Sequence, residues 1–98
     1  MNTLHIEHPI TDFDTWRAAF DQFAAHRRNS GVTHVRVSRP VNDGHYLLID
    51  LDFPTIGQAE QFLHFLRSKV WATPENAPAL AGNPVTRILA VAYNVPVQ

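Results

Sequence analysis

Hydrophobic and polar residues alternate most regularly in residues 44–53, which read Gly-His-Tyr-Leu-Leu-Ile-Asp-Leu-Asp-Phe. Because successive side chains of a strand point to opposite faces, Leu47, Ile49, Leu51 and Phe53 form one wholly apolar face. The other face mixes a tyrosine and a leucine with two aspartates. A strand with apolar side chains on both faces belongs in the interior of a sheet, so we predict a central strand here.

Three further stretches predict strands, at residues 4–8, 32–39 and 85–95. Pro9 ends the first of them, because proline lacks the N–H group that a strand ladder needs. Pro40 and the Asn-Asp-Gly turn at residues 42–44 end the second, which indicates a hairpin with the central strand. Pro96 closes the last strand.

One amphipathic helix is predicted between Asp12 and Gly31. Asp12 is a suitable N-cap, and glycine commonly follows the last turn of a helix. Between them, residues recur at the spacing of one helical stripe. This stripe comprises Trp16, Ala19, Phe20, Phe23, Ala24 and Arg27.

A second helix is predicted after Pro54, since Thr55 and Gln58 have the spacing of a capping box. Its apolar stripe comprises Ala59, Phe62, Leu63, Leu66 and Val70, and it is widened by Phe65 and Trp71. Residues 72–84 contain three prolines and a glycine, which predicts an irregular loop. A loop of this length in a small domain is often a lid or a packing arm.

The order of elements is strand, helix, strand, strand, helix, strand. We therefore predict that residues 1–98 form a single α+β domain of the ferredoxin-like βαββαβ type. Its four-stranded antiparallel sheet carries two helices on one face, and right-handed crossovers place the first and third strands in the centre.

The sheet face away from the helices is predicted to mix charged residues with a large apolar patch. Such a patch usually marks an interface, and charges balanced in sign can pair across a two-fold axis. In the simplest arrangement, Asp50 pairs with Arg36 or Arg87. We therefore predict a homodimer whose sheets pack face to face, as an α/β barrel. Its interface residues are Tyr46, Leu48, Asp50, Arg36, Arg87, Leu89 and Val91.

Composition removes several classes of function. Eight Lys and Arg against nine Asp and Glu give a net charge of -1, which argues against nucleic-acid binding and against anionic membranes. The absence of cysteine excludes disulfides, thiolate catalysis and cysteine-type zinc sites. No apolar run approaches membrane-spanning length, so we expect a soluble, cytoplasmic protein.

Several segments resemble the dimeric α/β-barrel superfamily, in the branch typified by antibiotic-biosynthesis monooxygenases. They are residues 8–16 (HPITDFDTW) leading to Phe20, Arg27 or Arg28 before Gly31-Val32, and residues 49–53 (IDLDF), 59–62 (AEQF) and 82–84 (GNP). The resemblance implies a dimer with a shared β-barrel and a small-molecule cavity between helices and sheet in each subunit. The superfamily includes cofactor-free oxygenases, polyketide cyclases, haem-degrading enzymes, isomerases and proteins of no known activity.

Aromatic residues on the two helices predict a pocket for a flat, apolar ligand. The residues proposed to bind it are Trp16, Phe20, Phe23, Phe62, Leu66 and Trp71. Simple packing of a core is the alternative explanation for the same pattern. His8 and His64 are tentative general bases, since histidine titrates near neutral pH. For both, a purely structural role is the alternative.

No metal site or cofactor is expected. Three candidate ligands, His5, Glu7 and His34, could face the same side on neighbouring central and edge strands, but no spacing matches a zinc motif. Haem-degrading members of the superfamily carry an asparagine on the first strand and a histidine after a tryptophan. Here Asn2 precedes the predicted strand and His64 precedes Trp71, which argues against that activity.

Two hypotheses follow from the sequence. In the first, the protein binds a small aromatic or polyketide-like molecule and acts as a cofactor-independent monooxygenase or cyclase. In the second, it is a non-catalytic dimeric ligand carrier or assembly module. An open cavity with a histidine or arginine in its wall favours the first, and a fully packed interior favours the second.

Overall fold

A computed structural model describes residues 1–97 of the chain. The elements are β1 (Asn2–Pro9), α1 (Phe13–Asp21), α2 (Ala24–Asn29), β2 (His34–Ser38), β3 (Tyr46–Phe53), α3 (Ile56–Phe65) and β4 (Val85–Ala90). A π-helical turn, Leu66–Val70, directly continues α3.

The four strands form one antiparallel sheet in the order β2-β3-β1-β4. Ile6 is paired with Ile49 on one side and with Thr86 on the other, which fixes the faces of the two central strands. The predicted ferredoxin-like fold is therefore confirmed, with the first and third strands in the centre. Tyr46–Phe53 is the internal strand that its alternation predicts.

The first predicted helix is divided into α1 and α2 around Phe23, whose backbone angles (φ -100°, ψ 14°) are not helical. The carbonyl of Phe20 accepts a bond from the amide of Phe23, at 3.2 Å, and another from the side chain of Arg27, at 2.6 Å. The regular helical ladder is interrupted at this carbonyl, at the end of α1. The chain leaves α2 at Gly31, which has a φ of 98°.

The last strand ends at Ala90, five residues before the predicted end at Val95. Ala90 pairs with Asn2, the first residue of β1, so no further residue of β1 is available to continue the ladder. Val91 and Tyr93 lie beyond the strand and are 56% and 84% exposed. The predicted extension to residue 95 was wrong for this reason.

The core lies between the helices and the sheet. Leu4, Leu47, Leu51 and Phe53 are at most 1% exposed on the helix side of the sheet, and Phe62 of α3 covers Phe53 with ring centres 5.8 Å apart. Within residues 1–97, no helix has both the length and the apolar composition needed to cross a membrane.

Candidate functional site

A cavity of about 60 Å³ lies within this core, between the helices and the central strands. The sheet forms its floor through Ile6, Ile49 and Leu51, and residues 76–80 form part of its cover. The six residues predicted to bind a ligand all line this cavity: Trp16, Phe20, Phe23, Phe62, Leu66 and Trp71. The volume is small, since most ligand sites measure roughly 300–1,000 Å³.

Helix α1 supplies one aromatic wall. Its N-cap Asp12 accepts a bond from the backbone N–H of Thr15 at 2.9 Å, which fixes the start of the helix. Trp16 and Phe20 are four residues apart and therefore lie on the same face, where their rings stack with centres 4.6 Å apart. The break after α1 brings Phe23 to the same cavity.

The opposite wall comes from α3 and the π-helical turn. Thr55 caps α3, with its side-chain oxygen 3.2 Å from the backbone nitrogen of Gln58, as the capping box predicts. In the following turn the amide of Trp71 donates to the carbonyl of Leu66 at 2.7 Å, five residues back. Isolated π-turns are frequent at functional sites, and here the two bonded residues both line the cavity.

Residues 72–84, termed the cover loop, lie over the end of β1. The amide of Thr11 donates to the carbonyl of Ala79 at 2.9 Å, and the amide of Ala81 donates to the carbonyl of Pro9 at 3.2 Å. A Cβ added to Gly82 would lie 2.8 Å from Cγ of Pro9, so the close approach here requires glycine. These contacts hold the irregular loop predicted for this segment against the cavity.

His8 is the buried histidine of the cavity wall and is only 3% exposed. Its Nδ1 lies 2.9 Å from the carbonyl oxygen of Pro9, and a carbonyl can only accept. We therefore assign the proton to Nδ1, which leaves Nε2 with a free lone pair. Burial lowers the pKa of His8, so the neutral form is favoured. A neutral imidazole whose Nε2 is free to accept a proton can act as a general base.

Arg27 is the second polar residue of the wall and is 8% exposed. Its guanidinium stacks on Phe20, with Cζ 3.6 Å from the ring centre, and donates to the carbonyl of that residue. Burial lowers the pKa of Arg27, although an arginine stays charged at neutral pH. The sequence held one signal for this role, since a charged residue interrupts an otherwise apolar helical stripe.

A surface groove of about 370 Å³ adjoins the cavity, between α1 and β2. Trp16, Phe20 and Arg27 line both spaces, so the wall between them consists of side chains rather than backbone.

His64, the other tentative catalytic residue, is exposed on α3 and does not line the cavity. It occupies a position outside the apolar stripe of the helix, which explains its exposure. The structure therefore brings His8, but not His64, to the predicted ligand residues.

On the opposite face of the sheet, His5 lies between two carboxylates. Its Nδ1 is 2.6 Å from Asp50 and its Nε2 is 2.8 Å from Glu7, which also accepts a bond from Tyr46 at 2.7 Å. The hydrogen bond with Glu7 raises the pKa of His5 more than burial lowers it, and Asp50 raises it further. Asp50 therefore pairs with His5, and not with Arg36 or Arg87 as predicted.

Candidate metal ligands are not gathered at one place in residues 1–97, where no three His, Asp or Glu side chains are grouped to hold an ion. His5 and His34 lie on strands separated by β3, because the sheet order is β2-β3-β1-β4.

Neither a protein-family model nor a curated protein sequence matches the chain. Among solved structures, a dimeric ferredoxin-like protein from an uncultured marine organism is 11% identical, with a TM-score of 0.66 over 96% of this chain and 97% of that one. An uncharacterized NIPSNAP domain protein from Burkholderia xenovorans is 12% identical, with a TM-score of 0.63 over 99% and 100%. A "putative antibiotic biosynthesis monooxygenase" from Deinococcus radiodurans is 12% identical, with a TM-score of 0.58 over 100% and 99%.

These similarities extend over nearly the whole length of each chain. They confirm the resemblance to dimeric ferredoxin-like proteins and to the antibiotic-biosynthesis-monooxygenase branch at the level of the fold. Identities of 11–12% carry no information on the substrate or on the catalytic residues.

Proposed function

We propose that the protein is a cytoplasmic homodimer that binds a small aromatic or polyketide-like molecule in the helix–sheet cavity. It acts on this molecule as a cofactor-independent monooxygenase or cyclase. The observation that carries the proposal is the cavity wall, where two buried polar side chains, His8 and Arg27, face the same space as a set of aromatic rings. A few convergent polar groups in an apolar pocket are typical of a ligand site.

A substrate of this size needs the space of both the cavity and the adjoining groove. By itself the cavity of about 60 Å³ has room for only a few non-hydrogen atoms. The groove of about 370 Å³ lies behind the shared wall of Trp16, Phe20 and Arg27. A ligand bound at this wall extends from the cavity into the groove, and the combined site has the dimensions of an ordinary ligand pocket.

The chemistry assigned to the site uses the reactivity of the substrate. His8 accepts a proton from an acidic C–H or O–H group, and the resulting enolate reacts with O₂ to form a carbon–oxygen bond. For a reactive CH₂ group, one oxygen atom remains as a carbonyl and the other leaves as water with the two hydrogens. The aromatic walls orient the substrate and exclude bulk water, which is how such a site lowers the barrier.

The proposed homodimer uses the sheet face opposite the helices. Arg36 and Arg87 flank the group formed by His5, Glu7 and Asp50, and neither arginine has a carboxylate within 4.0 Å in residues 1–97. Two carboxylates and one imidazolium leave that group negatively charged, so arginines from a second subunit complement it. Leu48, Leu89, Val91 and Tyr46 contribute apolar surface on the same side.

Sedimentation tests the assembly. We expect a dimer at micromolar concentration, with an interface above roughly 1,000 Å². Leu48→Asp should dissociate it, whereas Ile56→Asp, at an exposed position at the start of α3, should not. A monomer at micromolar concentration contradicts the proposed assembly.

Ligand binding is tested by thermal unfolding with a panel of aromatic compounds. A ligand at a hundred times its Kd stabilises the folded state by about 2.7 kcal/mol. Ala19→Phe fills the cavity and should abolish the stabilisation, whereas Ala18→Phe places the same ring on the exposed side of α1. If no compound of the panel stabilises the wild type or Ala18→Phe, the proposed ligand site is contradicted.

Oxygen consumption then separates an enzyme from a carrier. With an electron-rich phenol or enol that binds, and with no added flavin or metal, we expect enzyme-dependent uptake of O₂. His8→Gln should slow this uptake by about 10² or more, the usual contribution of a general base. Binding without any turnover identifies the protein as a carrier.

The alternative is a non-catalytic dimeric ligand carrier or assembly module. Of these two, the assembly module is favoured by one observation, the small volume of the cavity. If the protein is such a module, Ala19→Phe fills space that no ligand uses, and the dimer should form unchanged.

A further inference from the structure

We propose that Arg27 is the anion-binding residue of the cavity, and that the ligand is therefore a small aromatic monocarboxylate. This inference rests on the proposed function and specifies its ligand class. In the bound state the carboxylate accepts two hydrogen bonds from N–H groups of the Arg27 guanidinium, and the ring of the ligand lies against Phe20 and Trp16.

The first observation is that Arg27 is buried without a countercharge. No aspartate or glutamate oxygen lies within 4.0 Å of its guanidinium in the part of the chain that is described. Asp21 lines the same groove as Arg27, and its charge partly offsets the lowering of the pKa of Arg27 by burial, but its ion pair is with Arg17, at 3.4 Å. Buried charges in proteins are normally paired directly, so a guanidinium without an ion pair indicates that an anion comes from elsewhere.

The second observation concerns hydrogen bonds. A guanidinium has five N–H donors, and the protein engages Nη1 through the carbonyl of Phe20. In residues 1–97 no fully buried side-chain nitrogen or oxygen lacks a partner, so the other donors of Arg27 reach accessible space. Arg27 lines the cavity and the groove between α1 and β2, and it also lines a second groove, which it shares with Arg28. We place the anion at the wall between the cavity and the first groove.

The shape of the site selects an aromatic carboxylate. A guanidinium is planar and binds a carboxylate through two parallel hydrogen bonds. Its Cζ already lies over the ring of Phe20, 3.6 Å from the ring centre, and Trp16 stacks on the same phenyl ring with centres 4.6 Å apart. A flat acid can extend this stack, whereas a bulky aliphatic acid cannot.

The charge of the site selects a monoanion. Among residues 1–97, the only other titratable side chain that lines the cavity is His8, and burial favours its neutral form. Arg28, the next residue, is exposed and does not line the cavity. Arg17 and Asp21 line the adjoining groove and form an ion pair with each other. One fixed positive charge compensates one negative charge, so a phosphate dianion would leave an unpaired charge in an apolar site.

Calorimetric titration with benzoate and benzamide tests the inference, because the two molecules have the same shape and differ in charge. We expect the wild type to bind benzoate at least about tenfold more tightly than benzamide. Arg27→Met should reduce this preference to within about twofold, and Arg27→Lys should retain only part of it. Arg28→Met, at the neighbouring exposed arginine, should preserve the full preference.

The outcomes separate this inference from the proposed function. Equal binding of benzoate and benzamide by the wild type overturns the anion site and leaves an apolar ligand site standing. An unchanged preference in a folded Arg27→Met variant also overturns it. If neither compound nor any other aromatic molecule binds the wild type, both proposals fall. If Arg27→Met does not fold, the ratio of the benzoate and benzamide affinities in the wild type and in Arg27→Lys provides the test.

Discussion

On the helix side of the sheet, His8 lies among apolar side chains with one backbone partner, whereas on the opposite side His5 lies between the carboxylates of Glu7 and Asp50. Both histidines belong to β1 and are three residues apart. Burial lowers the pKa of His8. The pKa of His5 is raised, because the effect of its hydrogen bond with Glu7 exceeds the opposing effect of burial.

The difference between the two faces indicates what each can do. On the helix side, stability comes from apolar burial, and an imidazole and a guanidinium are held there with backbone partners but without an ion pair. On the other side, polar groups satisfy one another across strands, which fixes the shape of a surface. The proposed ligand chemistry therefore uses the helix side, and the proposed contact with a second subunit uses the other.

Adjacent leucines of β3 provide the largest expected difference between the faces. Leu47 is fully buried on the helix side and Leu48 is half-buried on the other. Leu47→Ala should lower the free energy of unfolding by about 2–5 kcal/mol, because it leaves a cavity in the core. Leu48→Ala should cost about 1 kcal/mol or less in the monomer, where little area is lost.

Urea unfolding over a range of protein concentrations measures both effects. For Leu48→Ala the loss should grow at concentrations at which the wild type is dimeric, because interface contacts then add to it. The loss for Leu47→Ala should not depend on concentration. Equal losses for the two variants in the monomer would contradict the assignment of Leu47 to the core face.

The two histidines predict pH dependences of opposite sign. The raised pKa of His5 contributes stability that is complete below its unfolded value of 6.5 and disappears as pH rises through its folded pKa. The lowered pKa of His8 means that the unfolded chain binds the proton more readily, so the wild type loses stability as pH falls below 6.5.

Single variants isolate these contributions. The free energy of unfolding of the wild type minus that of His5→Asn should be larger at about pH 5.5 than at about pH 8. For His8→Asn, the same difference should be smaller at about pH 5.5 than at about pH 8. Urea unfolding of the three proteins at both pH values provides the measurement. The same trend for both variants would show that the two environments do not differ as described.

The fold was predictable because it depends on patterns that are local in sequence. The alternation in residues 44–53, the N-cap at Asp12 and the capping box at Thr55 each specify one element with a physical signal. The break at Phe23 was not predictable from such patterns, since no proline or glycine stands there. It coincides with a contact between Arg27 and the carbonyl of Phe20, seven residues apart, which only the folded structure reveals.

The candidate site was predictable in its apolar part and not in its polar part. Helical spacing brings Trp16 and Phe20 together in any straight helix, so their common wall follows from the sequence. Strand alternation puts His8 on the face of Leu4 and Ile6, and His64 lies outside the apolar stripe of α3, but the hydrogen-bond partner of His8 depends on tertiary structure. The partner of Asp50 likewise depended on strand register, because His5 faces it directly across β1 and β3.

Tyr46 provides the smallest and most specific test of the polar face. His5 and, to a lesser extent, Tyr46 lower the pKa of Glu7 through hydrogen bonds to its carboxylate. Tyr46→Phe removes one of them and should raise the pKa of Glu7, whereas His5→Asn should raise it more. Tyr93→Phe, at an exposed tyrosine beyond β4, should leave it unchanged. Carboxyl ¹³C shifts of Glu7 measured against pH give the order of these effects. A larger change for Tyr46→Phe than for His5→Asn would place the tyrosine, and not the histidine, at the centre of the network on this face.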